Sequence, residues 1–533
     1  MSEMRAATRH GQARFRWSVR SMGLASLLAL PACASLLGIE DISESAAAGA
    51  AGTLGTAGSD SNGGSDQEAG AGQMNFAGGS AMAGKGGVGH SGGSSGAGTQ
   101  GGSGNAGAAA VGGSSGAGSS VHGHVIDFWR HPLANVSLEV GGKASTTDAQ
   151  GAFSFDAVPD QYDASLVVIY KVNNRTKTRA WVYQGLTRRD PTLQIYEGLG
   201  ERQTQLEVLP NDPSTLTGTR TLSISFGGPD GSTQETDVSG AGLGLAHLGW
   251  QGPEVTQETG HALIWQPDPT SGFPSQFIAF DSKSSITLTD TYNETTPQGT
   301  VSFDLSADTI PSGPITGTVP GSGSTSRFNN VFLRFTSNAV INLVADKPKA
   351  DSFSYVVPNI TDASAMLVAG DGDAFTEMGV VHKDGLLPNA TGISLTIPTP
   401  PRELSITPMT DADKVGASTQ FSFKPGGSAN APFVAVFTYE DNSTHDDILY
   451  LVSAKAPFKL PQVVNGTYHL PSDGPCYWRV ETHGAPESVD AMAGPTGFLD
   501  SLGNTDHHDQ PSGPRTGDGS YTQSKSQKLQ IAP

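Results

Sequence analysis

A few short groups of side chains in this 533-residue sequence could ligate a metal or move a proton. His122 and His124 alternate to one face of a strand and could offer two imidazoles to one ion. No third ligand is identifiable beside them, and a solvated strand edge is the plainer reading. Asp371-Gly372-Asp373 with Glu377 supplies hard oxygen donors at close spacing, the chemistry of a calcium site, but without the full acidic ladder of an EF-hand loop. His445-Asp446-Asp447 and His507-His508-Asp509 stand in polar stretches that read as surface loops. No Gly-rich segment follows a strand and opens a helix, as a phosphate cradle requires. Matches to Gly-x-Ser-x-Gly, such as Gly92 to Gly96, lack the strand-turn-helix context of a nucleophile elbow. No catalytic residue and no cofactor is assigned.

Two cysteines carry the remaining chemistry. Cys33 ends the run Leu30-Pro31-Ala32-Cys33. It stands behind a leader holding Arg5, Arg9, Arg14, Arg16 and Arg20 and the nine-residue apolar stretch Met22 to Leu30. That stretch is far shorter than the roughly 20 residues that span a bilayer. The order of basic leader, short apolar run, small residue and cysteine resembles a bacterial lipoprotein signal peptide. It implies removal of residues 1–32, lipidation of Cys33 and anchoring in the outer membrane, since Ala34 is not an inner-membrane retention signal. An ordinary secretory signal cleaved near Ala32 or Ala34 is the alternative. Lipidation would leave Cys476 without a disulfide partner, so a disulfide framework and a Cys-based zinc site are excluded. Cys476 reads as a buried free thiol.

Composition narrows the partners. The formal charge is −20, and loss of a leader with five Arg and one Glu takes it to −24. Such acidity argues against nucleic acid, whose phosphates demand a basic face. Residues 33–42 begin the mature chain, and 43–120 are almost wholly Gly, Ala and Ser. They offer too little apolar surface to offset the entropy of ordering, and read as a disordered tether. About 75 such residues span roughly 50 Å as a random coil.

From Val121 onward the texture is that of an all-β chain: tandem antiparallel β-sandwich domains behind the tether. Alternating runs such as Leu222 to Phe226, Val301 to Leu305, Val331 to Phe335 and Ile393 to Ile397 place apolar residues on one face. Gly, Pro, Asp and Asn clusters separate them, and no segment sustains a helical period. Residues 121–204 hold Gly123-His124-Val125, Pro132-Leu133 with Val136, Thr147-Asp148 with Gly151 and Phe153, then Val158-Pro159. In that order these resemble the carboxypeptidase regulatory-like domain, a small prealbumin-like β-sandwich, over about 50 to 80 of the 533 residues. The resemblance implies a spacer, folding aid or binding module, and its motifs are structural. A catalytic zinc partner domain would need a His-x-x-Glu with a distant His, which is not found. Phe128 and Trp129 could stack on a sugar, with core or edge packing the plainer reading.

Residues 205–399 read as one or two β-sandwiches of unassigned family. Ile315 to Val319, Phe332 to Phe335 and Phe353 to Pro358 echo the order of the first domain, either as a diverged repeat or by chance. Within 400–533, strands are expected at Phe421 to Phe423, Phe433 to Tyr439 and Ile448 to Val452. Leu470 to Val480 resembles the sixth strand of a fibronectin type III domain, with Cys476 where its corner tyrosine is expected. Gly494 to Tyr521 reads as a polar loop, and Leu529 with Ile531 as a closing strand. The functional expectation is a non-enzymatic, membrane-anchored lipoprotein presenting β-sandwich modules to an extracellular ligand, polysaccharide or protein. A carbohydrate-binding or adhesion protein is the alternative, and a hydrolase with its site in 205–399 a further one.

Overall fold

The computed structural model describes residues 118–532. Within that span it leaves out 128–129, 173–174, 196–200, 212–214, 217, 229–235, 240–243, 252, 292–296, 307–308, 322–325, 373–376, 408–413, 428–430, 441–444, 465, 467, 473, 485 and 498–517. Cys33, Phe128, Trp129 and His507-His508-Asp509 therefore lie outside the described residues.

The described chain is all-β: four successive β-sandwiches, with one helical turn. The first comprises β1 (Ser119–Ile126), β2 (Ser137–Val140), β3 (Lys143–Thr146), β4 (Ala152–Val158), β5 (Tyr162–Val172), β6 (Arg175–Leu186) and β7 (Thr192–Gln194). Alternation explains β1: Val121, Gly123 and Val125 face the core while Ser120, His122 and His124 face solvent. β4-β1-β7 forms one sheet, with β1 and β7 parallel, and β6-β5-β2-β3 lies opposite it.

The second sandwich runs through β8 (Glu201–Pro210), β9 (Thr221–Gly227), β10 (Thr236–Ser239), β11 (Gly244–Gln251), β12 (Val255–Pro267), β13 (Pro274–Thr289) and β14 (Gly299–Phe303). The third has β15 (Ser312–Thr318), β16 (Phe328–Phe335), β17 (Val340–Asp346), β18 (Ser352–Pro358), β19 (Ala363–Gly372), β20 (Met378–Leu386) and β21 (Ile393–Ser394). Both repeat the first topology strand for strand: β11-β8-β14 against β13-β12-β9-β10, and β18-β15-β21 against β20-β19-β16-β17. Strands β8 to β21, residues 201–394, thus form two sandwiches. The sequence echo falls on equivalent strands: Phe353 and Tyr355 of β18 stand where Phe153 and Phe155 stand in β4. Gly317 lies opposite Phe353 as Gly123 lies opposite Phe153. The shared Gly-x-Val has a steric cause at Gly123, where a Cβ would come within 2.4 Å of the Phe153 ring.

The fourth sandwich sets β22 (Arg402–Thr407), β24 (Gln420–Lys424) and β27 (Phe458–Lys459) against a sheet containing β25 (Phe433–Glu440), β26 (His445–Ser453) and β28 (Pro475–His483). β23 (Lys414–Val415) runs parallel to the closing strand β30 (Gln527–Ile531), which pairs with β28. The helical turn α1 (Val489–Met492) precedes β29 (Gly519–Gln523). The expected strands are present, but two readings need correction. His445-Asp446-Asp447 is the start of β26, not a loop, and the C-terminal end of the expected polar loop is strand β29.

Both corrections have one cause. β26 pairs in parallel with β6, His445 to Val452 matching Thr176 to Tyr183, and β29 pairs with β20 while also pairing with β28. The C-terminal sandwich therefore joins the first and third into one 14-stranded sheet.

Candidate binding cleft at the seam of the first and C-terminal sandwiches

The β6–β26 seam is held by polar and aromatic contacts. Arg179, buried in β6, donates from Nη1 to the Asp446 carbonyl at 2.7 Å and from Nη2 to Asp446 Oδ2 at 3.0 Å. Trp181 stacks on Tyr450, its partner in register, at 4.0 Å between ring centroids. Val464 N–H donates to Ser165 Oγ at 2.9 Å, fixing the 460–464 loop to β5. At the helical turn, the Thr187 and Arg188 N–H groups donate to Asp490 Oδ1 at 2.8 and 3.0 Å. Burial opposes the charge on Asp490, but these donors and the Thr187 hydroxyl hold its carboxyl below the usual range.

Where the C-terminal sandwich rises from the shared sheet, a cleft of about 660 Å³ remains. Glu139, Ser165 and Val182 stand side by side in its floor, in register across β2, β5 and β6. Gln161, Asp163 and Gln184 line the side of the first sandwich, and Lys455 and Gln462 that of the C-terminal sandwich. Asp163 Oδ1 accepts from the Gly185 N–H at 2.8 Å. Gly185 has φ +77°, and a Cβ there would meet Gln161 Nε2 at 3.1 Å and Lys455 Nζ at 3.9 Å. A side chain at that position would thus be strained and would crowd both walls. None of these cleft residues forms a local motif; the seam assembles them from distant segments, so sequence reading missed them.

The residues singled out from sequence lie elsewhere. His122 and His124 are exposed on the face of β1, the middle strand of its sheet, so they occupy a solvated face and not an edge. His122 Nδ1 is 2.9 Å from Ser154 Oγ. Asp371 is buried at the end of β19, Glu377 forms an ion pair with Arg402 at 2.7 Å, and Asp373 lies outside the described residues. Among the described residues no three His, Cys, Asp or Glu side chains group to hold a metal. Cys476 is a free, fully buried thiol whose pKa burial pushes up to about 12, a packing group with almost no thiolate. No helix of the described residues is long and apolar enough to cross a membrane.

Neither a family model nor a curated protein matches the sequence. Among solved structures, the chain is similar to the Bacillus anthracis TIE protein at 10% identity and TM-score 0.15, over 52% of this chain and 50% of that one. It is also similar to BcpA, the major pilin subunit of Bacillus cereus, at 9% identity and TM-score 0.12, over 52% and 99%. Two B repeat units of the collagen-binding protein CNA of Staphylococcus aureus match at 10% identity and TM-score 0.12, over 63% and 100%. The β-sandwich fold rests on the strand topology above.

Proposed function

We propose that this chain is a non-enzymatic outer-membrane lipoprotein with a surface adhesion role, anchored through Cys33 and presenting its sandwiches to an extracellular ligand, polysaccharide or protein. The observation that carries this reading is the order of parts. A leader ending in Leu30-Pro31-Ala32-Cys33 is followed by a Gly/Ala/Ser tether and then by sandwiches joined edge to edge. Such an array is a spacer that holds a binding surface clear of the lipid. The first sandwich is assigned as carboxypeptidase regulatory-like, supported by the steric reason for its Gly-x-Val motif. The fourth is assigned as fibronectin type III-like, supported by its three-strand sheet facing a larger one.

Intact-mass measurement of the membrane-extracted protein tests the anchor. The expected mass is that of a chain beginning at a lipid-modified Cys33, and Cys33→Ala should abolish the modification and change membrane retention. An unmodified mature chain, or unchanged fractionation of Cys33→Ala, would sink this reading.

A further inference from the structure

We propose that the cleft between the first and C-terminal sandwiches binds a neutral oligosaccharide through its hydroxyl groups. The proposal rests on the surface-binding reading above and names the class of ligand. A volume of about 660 Å³ falls within the roughly 300–1,000 Å³ common for small-molecule sites. The lining decides the chemistry. Glu139 and Asp163 carry carboxylates, Gln161, Gln184 and Gln462 carry amides, and Lys455 carries an ammonium. Carboxylates accept, ammonium groups donate, and amides do both. A ring hydroxyl also does both, so such a mixed set can satisfy a polyol in any orientation around the ring.

Other ligand classes fit this lining less well. The lining holds one ammonium and two carboxylates, so it offers a phosphate or sulfate no excess of positive charge. An apolar ligand would strip water from this polar lining without offering hydrogen bonds in return, which costs free energy. The floor is a stretch of sheet, on which a pyranose ring can lie flat against the raised wall of Lys455 and Gln462. At the rim, the β2–β3 turn is Gly141-Gly142, and a Cβ at Gly142 would meet nothing within 4 Å. A sugar chain can therefore continue past that end. The site is also preformed, since Val464 N–H fixes the wall to Ser165 in the floor and Asp163 fixes the bulge of β6 at Gly185. Tyr162, the one aromatic among the lining residues, is buried in the core of the first sandwich, so recognition rests on hydrogen bonds and weak affinity is expected.

Calorimetric titration of the full chain with linear neutral oligosaccharides of glucose, mannose, xylose and N-acetylglucosamine tests this. At least one should bind saturably with a Kd of about 1 mM or tighter. The double variant Gln161→Ala/Gln462→Ala alters two exposed side chains, so its melting temperature should be unchanged, while affinity falls by about tenfold or more. Failure of every sugar to bind, or binding that the double variant leaves intact, overturns the proposal. So does a short peptide that occupies the cleft where no sugar does. Intact-mass analysis of the same preparation reports lipidation of Cys33 independently, so loss of sugar binding with a normal anchor overturns the cleft assignment alone.

Discussion

Arg179 and Asp446 are 267 positions apart in the chain, yet their forked contact closes the seam between the first and last sandwiches. Arg179 has 2% of its side chain exposed, so removing the Asp446 carboxylate breaks a buried ion pair while the bonds from Arg179 to the Thr178 and Asp446 carbonyls remain. Asp446→Ala should destabilise the protein by about 3 kcal/mol, read from denaturant unfolding; a change within error would mean the contact is surface-like. His261 makes a second, pH-dependent case at the junction of the second and third sandwiches. It stacks on Phe335 at 3.9 Å between ring centroids, its Nε2 lies 2.7 Å from Ser337 Oγ, and burial lowers its pKa from 6.5 to about 4. The unfolded chain takes up this proton near pH 6.5 and the folded chain resists until about pH 4. Stability from this group is therefore complete above the higher value and falls on acidification through that window, by up to about 3 kcal/mol. His261→Phe should flatten the pH dependence of unfolding there, and an unchanged slope would contradict the assignment. Cys476 is simpler: at neutral pH it should resist alkylation in the native protein and react fully in denaturant. Its burial was legible from its apolar strand context. The role of Asp446 was not, because a seam partner so distant leaves no local trace.

Individual strands were readable wherever one face is apolar and the other polar, as in β1 and β4. β29 escaped because Gly519 to Gln523 is polar in sequence but buried on arrival: Tyr521 packs with Phe332, Met366 and Val380 of the third sandwich. The repeat was legible in the third sandwich, which keeps the glycine and aromatic pair, and hidden in the second, whose β8 and β11 lack them. Equivalent edges also met different fates. β6 and β20 accept strands from the C-terminal sandwich, whereas β13 is capped by a side chain. Gln298 Nε2 donates to the Thr287 carbonyl at 3.2 Å and its Oε1 accepts from the Thr289 N–H at 3.0 Å. That is a way of blunting a sheet edge against unwanted pairing. The helical turn α1 is tied to the end of β6 by Asp490. Asp490→Ala should cost about 1–2 kcal/mol and speed hydrogen exchange at Thr187 and Arg188. Unchanged exchange at those two amides would show that the turn is held by the packing of Val489 and Met492 alone.

At the scale of the molecule, the four sandwiches are not beads on a string. The last one completes the open edges of the first and third, so one sheet runs through three of the four modules of the described chain. Fold class was legible because alternation and turn residues recur along the chain. The seam was not, because edge-to-edge pairing depends on which backbone edges meet and not on side-chain pattern. The cleft inherits that invisibility, since it exists where the two seamed sandwiches meet. The central claim, that this seam makes one rigid body, is tested most directly by hydrogen exchange of the full chain. The amides of β6 facing β26, and those of β20 facing β29, should exchange as slowly as the cores flanking them. Rapid exchange at those amides while the cores stay protected would show open edges and separate modules, and would contradict the account.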